Sequence, residues 1–409
     1  MTLKTLRDIE LTGKTVLYRS PYDIGTKEVA PGQWAIKDDS RIQATLPTLN
    51  YLLENNCRIV IITWAGRPEG KVEESLRTTP HAKALEDLLG RPVSKLDECV
   101  GDSVDSYVAA MKPKEIVMLE NTRFHPEEDK ADSEFAKKLV KGKDLIVFDG
   151  FPQSHREHAS TTEILKLLPS VAGDYFEKEY KSLINLIQEP QHPFTLIIGG
   201  AKVSDKVGAI SSLLYKADNV LVGGGPANVF LKAVGKKVGK SYVEDAFAIH
   251  DKAEHRDWTV LARGMLERAP GKIILPVDLV VANSEQAPTD IKQVEVTDSP
   301  ELVPDDYFAF DIGPKTCEKY AQIISQAKTV FWNGTPGLFE KDPFYKGTET
   351  VAKAMAENTG MTIIGGGDTI EAAKKYCDTG KISHLSLAGG ATLEFLSGKE
   401  LPVLKYLRS

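Results

Sequence analysis

Along the chain, short β-branched runs alternate with longer stretches of helical periodicity. "TVLY" (15–18), "CRIVIIT" (57–63), "EIVMLE" (115–120) and "DLIVF" (144–148) are apolar without alternation. That pattern predicts strands buried on both faces. Between them, "SRIQATLPTLNYLLENN" is predicted to start a helix with Ser40 as N-cap, and "ADSEFAKKLVKG" to close one on Gly142. Strands separated by helices point to a parallel sheet covered on both sides.

The same rhythm resumes after residue 194 with "TLIIGG", "NVLVGGG", "KIILPVDLVV", "YFAFDIG", "TVFWNG", "MTIIGGG" and "HLSLAGG". Between the two series, residues 170–188 read as one long helix ended by Pro190. The expected fold is α/β: two doubly wound, Rossmann-like parallel-sheet domains joined by a long helix and a hinge. Residues 1–170 would form the first domain, 171–189 the connecting helix and 190–395 the second domain. The tail, 396–409, would pack back on the first. The charge-rich stretch 241–269 reads as a solvated helical insertion. A length of 409 residues suits two cores better than one.

Composition narrows the function classes. A net charge of −7 argues against a sequence-wide basic footprint for nucleic acid. No apolar run approaches the ~20 residues of a membrane span, and "MTLKTLRDIELTGK" lacks the apolar core of a signal peptide. Cys57, Cys99, Cys317 and Cys377 show no C-x-x-C spacing, as expected for reduced, mostly buried thiols of a cytoplasmic protein.

Candidate chemistry gathers at strand ends. Four strands of the second half stop in glycines: Gly199-Gly200, Gly223-Gly224-Gly225, Gly365-Gly366-Gly367 and Gly389-Gly390. A bare backbone at a helix N-terminus suits an anion. Lys202 and Lys206 are one turn apart on the same face. The helix dipole disfavours cations there, so their placement fits a polyphosphate. "GGGDT" adds Asp368 and Thr369. No G-x-x-x-x-G-K-[ST] is present, and no G-x-G-x-x-G opens a helix.

In the first half, Arg19, Arg67, Arg123 and the pair His155-Arg156 follow strands, and Arg41 opens a helix. Guanidinium forks match carboxylate and phosphate oxygens, so several together suggest a small, multiply anionic substrate. No Ser/His/Asp set or metal-ligand cluster stands out. A carboxylate acceptor needs no general base because it is already ionised at neutral pH. Phosphoryl transfer to it needs mainly positioning and charge neutralisation. Closure of the two domains would exclude water.

The elements Asp39-Ser40-Arg41-Ile42, Gly66-Arg67-Pro68, "LENTRF" (119–124), His155-Arg156, "GGAKVSDK" (199–206), "DIGPKT" (311–316), "WNG" with "GLFE" (332–340), "KGT" (346–348), "GGGDT" (365–369) and "GGATLEFLSGKELP" (389–402) occur in that order. Together they resemble the phosphoglycerate kinase family over nearly the whole chain. The resemblance implies a first lobe for a glycerate substrate and a second for Mg-nucleotide. It implies reversible phosphoryl transfer between 1,3-bisphosphoglycerate and ADP, with Mg²⁺ and ATP or ADP bound. Partners would be small molecules only, with no nucleic acid or membrane, and the enzyme would be a cytoplasmic monomer. By position, it implies catalytic roles for Arg41, Lys206, Gly367 and Gly390. Asp23, Arg41, Trp64, Arg67, Arg123, His155 and Arg156 would bind substrate. Gly200, Lys202, Lys206, Gly224, Gly313, Asn333, Glu340, Gly366, Gly367, Asp368 and Thr369 would bind nucleotide, with Asp368 also holding the metal.

The departures cluster where substrate would sit. Where the family has R-V-D-F-N, this chain has Arg19-Ser20-Pro21-Tyr22-Asp23, and the family's S-H-x-G-R-P becomes Thr63-Trp64-Ala65-Gly66-Arg67-Pro68. Pro21 offers no side-chain acceptor, and Trp64 has one donor where the family has an imidazole. Gly150, Thr335, Leu387 and Ala388 also depart from the family's residues. Two alternatives therefore stand beside the glycerate reading: a kinase of the same fold for another phosphorylated carboxylate, and a non-catalytic nucleotide-binding relative.

Overall fold

The computed structural model describes residues 2–204, 206–244, 247–249 and 252–408. It divides into two compact units, Met1–Lys181 with Glu400–Ser409, and Ser182–Lys399.

The first unit is built on a six-stranded sheet in the order Ser94–Lys95, Ile116–Met118, Arg58–Ile62, Thr15–Arg19, Leu145–Phe148, Ser170–Ala172. Every pairing is parallel. The apolar runs form strands because both faces are covered: Thr15–Arg19 and Leu145–Phe148 are buried at every position. Val16, Tyr18, Ile59, Ile61, Met118 and Val147 share one core with Leu49 and Leu52 of the helix Ser40–Glu54. Arg19 is in register with Ile62 on one side and Phe148 on the other. The segments after these strands therefore leave from the same sheet edge.

Two boundaries differ from the sequence reading. The first helix takes Asp39, not Ser40, as its N-cap. Ser40 is tied instead to the Asp38 carboxylate, through its amide at 3.0 Å and its hydroxyl at 3.1 Å. The connecting helix starts at Asp174 and ends at Gln188. Ser170–Ala172 pairs with Ile146, Val147 and Phe148 as an edge strand, which keeps those residues out of the helix. The division between the units falls inside this helix, after Lys181.

The second unit holds another all-parallel sheet, in the order Ile273–Ile274, Asn219–Val222, Phe194–Ile198, Thr329–Asn333, Met361–Gly365, His384–Ser386. "KIILPVDLVV" contributes only its first part. Pro276 interrupts the run, since proline cannot donate to a ladder. Asp278–Ala282 then pairs antiparallel with Phe308–Ile312 and Ile291–Glu295 in a separate sheet. "YFAFDIG" is thus not a strand of the main sheet.

The stretch 241–269 is only partly helical. Phe247–Ile249 pairs antiparallel with Lys252–Arg256, and the helix is confined to Trp258–Arg268, capped by the Asp257 carboxylate on the Thr259 amide. The chain end, with a short helix Leu404–Leu407, belongs to the first unit. Lys4 N–H donates to Leu407 O at 2.8 Å, and Leu3 bridges Arg408. Among the described residues no helix is long and apolar enough to cross a membrane.

Candidate functional site

In the first unit, the sheet edge gathers a compact set of charges around Trp64. The indole is buried, and two guanidinium groups lie over it, Arg19 at 4.5 Å and Arg123 at 4.2 Å from the ring centroid. His158 meets the ring edge at 5.0 Å. Stacking on an aromatic face is a low-cost way to hold a planar cation. The indole Nε1–H donates to Asp23 Oδ2 at 3.1 Å, and Gly66 N–H donates to Asp23 Oδ1 at 3.0 Å. Arg41 Nη1 donates to the Asp23 carbonyl at 2.6 Å. Asp23 therefore ties two predicted residues and a neighbouring glycine together: Trp64 and Gly66 by its side chain, Arg41 by its backbone.

Asn121 builds the frame. Its amide donates to Ala65 O at 2.7 Å and Leu76 O at 3.0 Å, and its oxygen accepts the Ala65 and Arg123 amides at 3.1 Å each. That fixes the loop bearing Gly66 and Arg67 to the turn bearing Arg123. Arg123 is buried and spends Nε on Asp129 (3.1 Å) and Nη1 on Gly66 O (2.9 Å). Arg67 and Arg156 are exposed, and among the described residues neither is held by an ion pair. His155 is half-buried.

Beneath this layer lie Arg19, one of the strand-end arginines, and two groups that the sequence reading did not assign to the site, Glu128 and His158. Arg19 is fully buried, with Nε donating to Ser160 O at 3.1 Å and Nη1 to Ser20 O. Burial pulls its pKa down to about 10, against the attraction of Glu128. Glu128 is also fully buried and accepts the Ser160 hydroxyl at 2.6 Å and amide at 3.1 Å. Burial pushes its carboxyl up to about 7, despite the opposing Ser160 bonds and Arg19. His158 has Nδ1 3.0 Å from Asp129, yet burial, with Arg123 and Arg156 nearby, lowers its pKa. Only the strand-end position of Arg19 marked any of these in the sequence.

In the second unit, Gly200, Lys202, Lys206, Asn333, Gly366, Gly367, Asp368, Thr369 and Gly389 line one cleft of about 380 Å³. Its walls are the carboxyl ends of Phe194–Ile198, Thr329–Asn333 and Met361–Gly365. Gly366 is the N-cap of the helix Gly367–Tyr376 at φ +97°, a left-handed conformation natural only to glycine. A Cβ there would sit 3.0 Å from Asn333 Nδ2, which donates to Gly365 O at 2.7 Å. Thr369 is buried and accepts the Gly334 amide at 2.8 Å. Lys206 Nζ reaches the Lys202 carbonyl at 3.5 Å. Asp368 is exposed at the cleft. Among the described residues no group of three His, Cys, Asp or Glu could hold a metal ion.

Four nucleotide or catalytic positions predicted in this unit do not line this cleft. Gly224 packs under Gly200, whose carbonyl would be 2.6 Å from an added Cβ, and its amide donates to Pro336 O. Gly313 is needed because a Cβ would strike the Asp278 carboxylate at 2.2 Å. Both glycines serve packing of backbone on its neighbours. Glu340 and Gly390 are exposed outside the lining residues.

A family model described as phosphoglycerate kinase matches residues 6–399. A phosphoglycerate kinase of Moorella thermoacetica is 45% identical over 405 residues, covering 98% of each chain. One of Pelotomaculum thermopropionicum is 43% identical over 410 residues, 100% of this chain and 99% of the relative. Among solved structures, a phosphoglycerate kinase from Coxiella burnetii superposes with a TM-score of 0.84 at 34% identity, covering 99% of both chains. That from Pyrococcus horikoshii OT3 superposes at 0.82 and 31%, covering 99% of this chain and 98% of the other. Two α/β units, each built on a parallel sheet, are the fold class of the kinases that this chain superposes on. This chain belongs to the phosphoglycerate kinase family.

Proposed function

We propose that the protein transfers a phosphoryl group reversibly between 1,3-bisphosphoglycerate and ADP, giving 3-phosphoglycerate and ATP, as a cytoplasmic monomer acting on small molecules. Besides family membership, one observation carries this reading. Lys206, Asn333, Gly367, Asp368 and Thr369, far apart in sequence, line a single cleft edged by glycine backbone. Such a cleft suits a polyphosphate better than any neutral ligand.

In this reading Lys202 and Lys206 neutralise nucleotide phosphates, with Lys206 also steadying the moving group. Gly366, Gly367 and Gly389 leave room for phosphate oxygens to approach the backbone. Asp368 would hold a Mg²⁺ ion, which is commonly bound through one or two carboxylates and not by an all-protein cage. When bound, the ion neutralises charge on the phosphates. Glu340 lies on the segment that would meet the ribose.

On the first unit, exposed Arg67 and Arg156, with His155, take the distal phosphate of the substrate. Arg123 contributes less directly, since it is largely engaged with Asp129 and Gly66. Arg41, steadied by the Asp23 carbonyl, would neutralise the transferring phosphoryl group. The Asp23 carboxylate accepts one N–H on each oxygen. A carboxylate has about four acceptor sites, so capacity remains for the glycerate hydroxyl. That favours 3-phosphoglycerate over an acid lacking the hydroxyl.

A coupled assay with MgATP and 3-phosphoglycerate tests the proposal. Turnover that disappears on chelation with EDTA supports it. Nucleotide binding by calorimetry without transfer to 3-phosphoglycerate would overturn it.

A further inference from the structure

Glu244 belongs to none of the residue sets above, yet its carboxylate closes on the loop bearing both nucleotide lysines. Oε2 accepts the Val203 amide at 2.6 Å and the Ser204 amide at 2.8 Å, and Oε1 accepts the Ser204 hydroxyl. The Val203 carbonyl in turn accepts the Lys206 and Val207 amides at 2.9 Å each. The turn between Lys202 and Lys206 is therefore pinned on both sides. Successive backbone amides aimed at one anion form a nest. Here a side chain of the same protein fills that nest.

The segment delivering Glu244 is itself anchored. Asn228 Nδ2 donates to Tyr242 O at 3.1 Å, Lys240 N–H donates to Tyr307 O at 2.8 Å, and the Ser241 hydroxyl accepts the Ala309 amide at 2.8 Å. Ala309 lies in Phe308–Ile312, and the next residue's carbonyl, Phe310 O, accepts the Leu338 amide at 3.0 Å. Hydrogen bonds joined by short stretches of backbone thus link the segment containing Glu340, through residues 241–244, to the lysine loop.

We propose that Glu244 is a positioning residue for the nucleotide half of the reaction, and that residues 241–244 are a strap holding the lysine loop to the strand Phe308–Ile312. The inference rests on the kinase reading above. By taking up the Val203 and Ser204 amides, Glu244 removes a competing anion site. Phosphate oxygens are then directed to Lys202, Lys206 and the glycine edge. The strap also fixes how far the lysines stand from Asp368 across the cleft.

The test uses the full-length chain with Glu244→Ala, Glu244→Gln and Ser204→Ala. Kinetics are measured for each substrate separately, and ADP affinity by calorimetry. Losing charge-assisted bonds to the loop is expected to raise KM for MgATP and Kd for ADP about tenfold in Glu244→Ala. KM for 3-phosphoglycerate should stay unchanged. Glu244→Gln keeps an oxygen for both amides and should restore nucleotide KM to within about threefold of wild type. Ser204→Ala, which loses one bond of three, should fall between. A merely structural role would raise both KM values alike or lower only the melting temperature, and either result overturns the proposal. So does unchanged ADP affinity in Glu244→Ala or, should that variant not fold, in both other variants. Wild-type turnover is the control for the kinase reading. Its absence would refute that reading, while ADP calorimetry would still decide the role of Glu244.

Discussion

Trp64 donates its indole N–H to the Asp23 carboxylate at 3.1 Å while its ring lies under both Arg19 and Arg123. One side chain thus orders an anion and two cations. Trp64→Phe keeps a ring against both guanidinium groups and removes the donor. Loss of one hydrogen bond to a charged group predicts a roughly tenfold rise in KM for 3-phosphoglycerate. Nucleotide KM should hold. Trp64→Leu removes the cation–π contacts as well, each worth about 0.5–2 kcal/mol, and should be worse in both KM and melting temperature. Equal KM values for wild type and Trp64→Phe would show that the contact has no part in substrate binding.

Arg41 is tethered through Nη1 to the Asp23 carbonyl. Its assigned work is on charge developing during transfer. Arg41→Ala should therefore lower kcat by roughly 10²–10³-fold, the usual effect of removing one such donor. ADP affinity, read by calorimetry, should be unchanged. A variant impaired chiefly in nucleotide KM would count against the assignment.

Glu128 gives stability a pH signature. Its folded-state carboxyl is raised by burial from 4.5 to about 7. Below the lower value both folded and unfolded states are protonated. Between the two values the unfolded chain gives up its proton and the folded chain keeps it, so stability falls as pH rises. Above pH 7 the full cost is present, of order 3 kcal/mol. Glu128→Gln stays neutral and can still accept from Ser160. Its melting temperature relative to wild type should therefore improve from pH 5 to pH 8. A constant difference across that range would mean that Glu128 does not titrate there.

Gly366 at φ +97° has Asn333 Nδ2 3.0 Å from where a Cβ would stand. Gly366→Ala combines backbone strain at positive φ, about 1–3 kcal/mol, with displacement of the Asn333 amide. Lower thermal stability should accompany weaker ADP binding, with KM for 3-phosphoglycerate unaffected. An active variant with wild-type ADP affinity would remove Gly366 from the nucleotide site.

The parallel sheets were legible because buried strands leave unbroken apolar runs, as in Thr15–Arg19 and Phe194–Ile198. Phe308–Ile312 misled because a run of that length looks the same in a parallel or an antiparallel sheet. Only Pro276 hinted that its partner strand had left the main sheet. Glycines were legible as strand ends but not by role. Gly366 borders the cleft, whereas Gly224 and Gly313 make room for the Gly200 carbonyl and the Asp278 carboxylate. The distinction depends on what an absent Cβ would touch, which no spacing rule encodes. The burial of Arg19, and any role at all for Glu128 and for Glu244 on its loop, were invisible for a related reason. Their partners are distant in sequence, and an isolated charged residue reads as surface.

The Lys4–Leu407 and Leu3–Arg408 pairings place the first and last turns of the chain side by side in one unit. During synthesis, the amino-terminal unit must wait for residues 400–408 to leave the ribosome before its structure is complete. The unit between them can finish earlier. Of the two units, the one begun earlier is thus the one completed later, an inversion of the usual order in which nascent domains mature.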